Sequence, residues 1–209
     1  MSASALPDLE HASAEEVLAY AVGRFGERVT LACSFQKEES VLAHMLSELT
    51  PAPRAFTIDT GVLFAETLDT WKRFEQRFGL RVECFDARSP DGPWTAERCC
   101  GEAKVAALER ALAGMDAWIT GIRREQAPTR ANARKLERDE RRGIFKVNPL
   151  ADWSERDVWR YIFAHDLPYH PLHDQGYASI GCAPCTRPGV GREGRWAGQE
   201  KTECGIHVQ

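Results

Sequence analysis

The sequence predicts an α/β fold: a parallel twisted sheet flanked by helices. Two observations predict it. Short runs rich in β-formers alternate with helical-period stretches of about a dozen residues through the first 120 positions, the signature of βαβ units and a parallel sheet. The runs also end in polar segments, Ser34-Phe-Gln-Lys-Glu-Glu-Ser40, Asp59-Thr-Gly61 and Gly121-Ile-Arg-Arg-Glu-Gln126. In such sheets ligands sit beyond the carboxyl ends of the strands, so these three segments are expected to gather at one edge and form a site.

Each element has its own local reason. Val17, Leu18, Ala21, Val22 and Phe25 recur at helical spacing behind Ser13 and the Glu15-Glu16 pair, a capped amphipathic helix over 13–25. Residues 28–33 form the first strand, and a helix over 38–49 is ended by Pro51 and Pro53. Residues 54–59 are the second strand, stopped by Thr60-Gly61. The stretch 64–78 is a helix with Phe64, Leu68, Trp71, Phe74 and Phe78 on its inner face. A strand over 81–85, a helix over 95–112 and a strand over 117–121 complete the alternation. The charged stretch after Arg130, with Glu137, Asp139 and Glu140, predicts a solvated helix face. Residues 143–150 are strand-like, and Ser154 caps a helix over 153–165, with Glu155 and Asp157 near its positive end. Beyond Pro168 the chain is rich in Gly and Pro and has no clear period.

Composition limits the function classes. The 209 residues carry a net charge of -4, with 43% apolar and 28% charged residues. That is an ordinary globular balance and argues against nucleic-acid binding. No apolar run approaches a membrane span, and the N-terminus lacks the basic and apolar regions of a signal peptide. A cytoplasmic, reducing setting follows, and the seven cysteines then need an account other than disulfides. Cys33 and Cys84 lie in apolar strand-like runs and read as buried small hydrophobes. Cys99, Cys100, Cys182, Cys185 and Cys204 remain.

Four of these come as pairs. Cys182-Ala-Pro-Cys185 is a C-x-x-C pair, open by itself to a zinc half-site or a redox role. With the adjacent Cys99-Cys100 it makes four thiolates, suited to tetrahedral zinc or an iron–sulfur cluster. Neighbouring thiolates reach one small ion awkwardly and separate corners of a cubane more readily, so the spacing favours a cluster over zinc. Lys104, four residues after Cys100, shares that helix face and would offset cluster charge or hold a substrate oxyanion. The arginines Arg123, Arg124 and Arg130 flank a helix-breaking Pro128, and planar guanidinium groups suit bidentate contact with phosphate or sulfate. Cys204 stands alone near the chain end, where packing does not explain a thiol.

Cys99-Cys100 with Lys104, the Cys182/Cys185 pair and the terminal Glu203-Cys-Gly-Ile-His207 together resemble the assimilatory adenylyl-sulfate (APS) reductases. These are the iron–sulfur branch of the APS/PAPS reductase family. The match runs through Ser34-Phe35, Asp59-Thr60-Gly61, Gly121–Gln126, Thr129-Arg130 and Arg192-Glu-Gly-Arg195-Trp196, covering about residues 25–207. The resemblance implies an adenine-nucleotide α-hydrolase-like fold and one 4Fe-4S cluster per subunit on Cys99, Cys100, Cys182 and Cys185. It implies that Ser34, Phe35 and Gln36 form an altered phosphate loop and that Ile58, Asp59, Thr60 and Gly61 seat the adenosine. Arg130, Arg192 and Arg195 would hold the phosphosulfate, and Cys204 would be the nucleophile.

The expected organisation is a catalytic α/β domain over 1–196 and a mobile segment over 197–209. The expected activity is reduction of APS to sulfite and AMP with thioredoxin or glutaredoxin as reductant, in a protein open to homo-oligomer formation. Glu38-Glu39 departs from the acidic pair ending in Asp that relatives commonly carry. Reduction of the 3′-phosphorylated nucleotide (PAPS) and a zinc-stapled, non-catalytic nucleotide-binding module are the rivals. An ATP-dependent relative would need a Ser-Gly-Gly-x-Asp-Ser loop that Ser34-Phe-Gln does not supply.

Overall fold

The computed structural model describes residues 7–88 and 101–196. One six-stranded sheet runs in the order β3-β2-β1-β4-β6-β5, with β1 Val29–Ala32, β2 Arg54–Asp59, β3 Arg81–Asp86, β4 Ala117–Ile119, β5 Leu136–Asp139 and β6 Ile144–Val147. Every pairing is parallel except β5 with β6. The helices are α1 Ala14–Phe25, α2 Lys37–Leu49, α3 Ala65–Phe78, α4 Glu102–Leu112 and α5 Glu155–Ala164.

The pleat sends successive strand residues to opposite faces. Leu31, Ala55, Ile119 and Val147 meet apolar residues of α1, α2, α3 and α5 on one side. Phe56 and Trp118 meet Leu108, Ala111 and Leu112 of α4 on the other. Both faces are thus covered, as a parallel sheet requires. The strand order reverses between β1 and β4, and that switch point positions the site.

Two expectations are corrected, and a third lies partly outside the described residues. The charged stretch after Arg130 is not a solvated helix: its residues 136–139 form β5, antiparallel to β6. Glu137 lies opposite Lys146 in register and pairs with it at 3.3 Å, a cross-strand ion pair. The sheet is accordingly mixed at this edge. Cys84 is exposed among the described residues; it lies on the opposite edge strand, β3. The helix expected over 95–112 is described from Glu102 onward; residues 89–100 lie outside the described part.

Candidate active site

At the carboxyl ends of β1 and β4 the structure holds a cavity of about 370 Å³. Ser34, Phe35 and Gln36 line it from the β1–α2 turn, Ile58 from β2, Lys104 from α4, Arg123 and Arg130 from the segment after β4, and Cys182, Arg192 and Arg195 from the C-terminal segment. Ten residues expected from sequence to bind substrate, metal or reacting groups thus share one space.

The turn after β1 is built around Phe35. Its backbone has a φ of 60°, a left-handed conformation that costs a bulky residue free energy. The ring offsets that cost. It is fully buried, stacked on Trp71 at 5.5 Å and edge-on to Phe74 at 5.7 Å. The side chain therefore faces the core and the backbone faces the cavity, which refines the expectation of a direct ligand contact from Phe35. Gln36 caps α2, donates from Nε2 to Ser34 Oγ at 3.0 Å, and accepts the Ile180 N–H at 2.7 Å. Its amide ties the turn to the C-terminal segment.

Beneath the turn lie three buried charges, Lys37, Glu38 and Glu39. Lys37 donates to the Ala178 carbonyl at 2.7 Å and pairs with Glu155 of α5 at 3.0 Å. Glu38 accepts from Arg123 Nε at 3.0 Å and from Gln126 Nε2 at 3.1 Å. Burial opposes ionisation of Glu38, but the Lys37 and Arg123 charges outweigh it and hold its carboxyl below the ordinary value. For Glu39, burial and then the Glu38 charge push the carboxyl up to about 7. The segment Ser34–Ser40 expected at the site contains this triplet, which opens α2, but the sequence alone gives its three charges no partners.

The remaining expected residues divide. Arg124 does not line the cavity; it pairs with Glu10 at 2.5 Å and donates to the Ala133 carbonyl at 2.8 Å, fastening the N-terminal segment. Arg123 lines the cavity but is engaged with Glu38 and the Trp153 carbonyl. Arg130 donates to Gln126 Oε1 at 2.5 Å. Arg195 lies across Gly181, where an added Cβ would come within 2.4 Å of its guanidinium, and bonds the Ile180 carbonyl at 3.0 Å. Arg192 and Arg195 both sit over the Trp196 ring, at 5.5 and 4.5 Å.

Asp59, Thr60 and Gly61 shape the neighbouring turn without lining the cavity. Asp59 accepts the Gly61 N–H at 2.7 Å. Gly61 has a φ of 74°, and a Cβ there would meet Arg88 at 2.6 Å. Thr60 Oγ1 is 3.1 Å from Cys182 Sγ, and the Ala183 N–H bonds the Val62 carbonyl at 2.9 Å. These contacts dock the C-x-x-C turn against the end of β2.

Cys182 and Cys185 lie on one 3₁₀ turn, both buried. Cys99, Cys100, Cys204 and His207 lie outside the described residues. Among the described residues no group of three or more His, Cys, Asp or Glu is placed to hold a metal ion. The two described thiols nevertheless suit half of a four-thiolate site, both being buried, with Cys182 beside the Thr60 hydroxyl and on the cavity wall that Lys104 also lines.

Comparison with known proteins bears on this site. The model of the phosphoadenosine phosphosulfate reductase domain matches residues 28–188. An adenosine 5′-phosphosulfate reductase of Geobacillus thermodenitrificans is 41% identical over 217 residues, covering 96% of this chain and 92% of that protein. A phosphoadenosine 5′-phosphosulfate reductase of Gloeobacter violaceus is 42% identical over 223 residues, covering 95% and 90%. In three dimensions a PAPS reductase from Candida auris, solved as a phosphate complex, superposes with a TM-score of 0.72 at 27% identity, covering 89% of this chain and all of that one. An FMN adenylyltransferase of Candida glabrata reaches 0.65 at 18% identity, over 85% of this chain and 64% of its own, a likeness of fold alone. A switch-point cavity walled by arginines and a C-x-x-C turn, and a family model that spans all of its described walls except Val190, Gly191, Arg192 and Arg195, have one reading: the chain belongs to the phosphoadenosine phosphosulfate reductase domain family.

Proposed function

We propose that this protein reduces adenylyl sulfate to sulfite and AMP in sulfate assimilation, using a thiol reductant of the thioredoxin or glutaredoxin type, in the cytoplasm. The observation that carries the reading is the single cavity in which the Ser34–Gln36 turn, Lys104 and the guanidinium groups of Arg130, Arg192 and Arg195 face one another beside Cys182. Relatives at about 41% identity named for this activity support it.

In this reading the residues 1–196 bind the nucleotide and the segment 197–209 delivers the Cys204 thiolate. The thiolate attacks the sulfur of the phosphosulfate, the S–O bond to the phosphate breaks, and AMP leaves with the bonding pair. Cys204 then carries an S-sulfo group. A dithiol attacks the Cys204 sulfur, releases sulfite, and closes to a disulfide, so two electrons pass from the reductant. Arg130, Arg192, Arg195 and Lys104 supply cationic donors to the sulfuryl oxygens during transfer. Cys182 and Cys185, with Cys99 and Cys100, would hold a 4Fe-4S cluster. Bound there, the cluster would set a local charge beside the cavity and fasten the C-terminal segment to the sheet.

The test is anaerobic purification, a visible spectrum and iron analysis, then incubation with APS and intact-protein mass spectrometry. The expected outcome is a brown, iron-containing protein that gains a sulfonate on Cys204 and loses that adduct on adding thioredoxin. A colourless, zinc-containing protein with no adduct would establish the non-catalytic module instead. The Gloeobacter violaceus relative, named for PAPS, favours a second substrate, and PAPS run in parallel decides between them.

A further inference from the structure

Glu39, the third residue of α2, is buried and closes a capping box with Gln36. Its Oε2 accepts from Ser34 Oγ at 2.9 Å and from the Gln36 backbone N–H at 3.0 Å. Those are the donors of the turn that lines the cavity, and an incoming oxyanion needs the same ones. Glu38 beside it pairs with Arg123, whereas Glu39 has no ion-pair partner among the described residues. Glu39 has little room to move aside. It is 6% exposed, and its Oε1 lies 2.7 Å from the place a Cβ on Gly121 would occupy.

We propose that Glu39 is a resident anion on this turn, and that the anionic end of the nucleotide displaces it by driving a proton onto its carboxylate, so that nucleotide and one proton bind together. The proposal rests on the nucleotide reading of the cavity given above. The proton comes from solvent to a Glu39 carboxylate oxygen. Ser34 Oγ–H and the Gln36 N–H then turn to the ligand oxygens, and no bond of the ligand breaks. Two anions sharing one set of donors in a dry site repel strongly, and neutralising one of them removes that repulsion.

Among the described residues around the turn, Glu39 is the group whose titration is pushed toward neutrality. On its own helix, Glu38 is held below the ordinary carboxylate range and Lys37 is paired with Glu155. From β1, burial and then the Glu39 charge push the Cys33 thiol well above its usual value. After β4, Arg123 pairs with Glu38 at 3.0 Å. From the C-terminal segment, burial and then Lys37 push His173 down to about 4, so it is neutral throughout. Glu39 itself, at about 7, exchanges its proton in the physiological window.

The experiment is calorimetric titration of the full chain carrying Cys204→Ser with APS, whose phosphosulfate does not titrate above pH 6. It is run from pH 6.5 to 8.5 in buffers of different protonation enthalpy. The expected result is uptake of close to one proton per APS at pH 8.5, with binding about 20-fold weaker there than at pH 6.5. Glu39→Gln should abolish the uptake and flatten the profile, and Glu39→Asp should retain both. APS binding without proton uptake, or an undiminished pH slope in Glu39→Gln, overturns the proposal while leaving the nucleotide reading intact. Absence of APS and AMP binding at every pH sinks that reading, and this proposal with it. Should Glu39→Gln fail to fold, the proton stoichiometry of the Glu39 protein decides alone.

Discussion

Arg123 and Arg124 are adjacent arginines in a strand-end loop, and their neighbours give them different work. The Arg123 guanidinium reaches Glu38, 85 positions away, and Arg124 reaches Glu10, 114 away. Sequence reading could see that the loop was arginine-rich but not which carboxylates would arrive from elsewhere in the chain. Only the fold decides that. Because side chains of Arg123 and Glu38 are 3% and 6% exposed, the pair is worth most as a constraint: deleting one partner strands a buried charge. Arg123→Ala should therefore lower stability by about 3–5 kcal/mol, read as a fall of roughly 10 °C in melting temperature. Adding Glu38→Gln to that variant should restore much of the loss. If the single variant melts with the parent protein, the ion pair is not what holds this wall of the site.

At the scale of elements, local signals and the structure agree where one residue type sets a boundary. β2 runs Arg54–Asp59, the limits that Pro53 and Thr60-Gly61 mark in sequence. Ser13 and Ser154 cap α1 and α5 as reciprocal capping boxes with Glu16 and Asp157. Agreement fails at β5, where Glu137 reads as a helix-surface residue until Lys146 is known to lie opposite. Cross-strand pairs are set by register, which a single segment does not carry. The cap of α5 matters beyond its own helix, because α5 holds Glu155 against Lys37 and Lys37 holds the Ala178 carbonyl. Ser154→Ala should cost about 1 kcal/mol, observable as a loss of about 2–4 °C in melting temperature. An unchanged melting temperature would mean that packing of α5 on α2 makes the cap redundant.

Across the whole molecule, buried titratable groups with opposing shifts shape the pH profile of stability. His170 and His173 are pushed down to about 4, in each case first by burial. The folded chain therefore binds fewer protons at these two sites than the unfolded chain between about pH 4 and the ordinary histidine value of 6.5, and stability rises with pH across that range. Glu39 works the other way. Its folded value of about 7 exceeds the ordinary carboxylate value of 4.5, so its contribution is complete below pH 4.5 and is lost as pH climbs to about 7. Two histidines against one glutamate leave a net gain of about 2 kcal/mol between pH 5 and 6.5, or roughly 4–8 °C in melting temperature. Above pH 6.5 the unfolded histidines are still losing protons, and their remaining rise nearly cancels the Glu39 fall, so stability levels off toward neutrality. Removing that carboxyl isolates the two effects: Glu39→Gln should about double the rise between pH 5 and 6.5 and extend it to about pH 7.5, where the parent profile is level. Thermal melts of both proteins at half-unit pH steps measure the difference. Parallel profiles would show that the Glu39 carboxyl is ionised at all these pH values, with the Ser34 and Gln36 donors holding its charge.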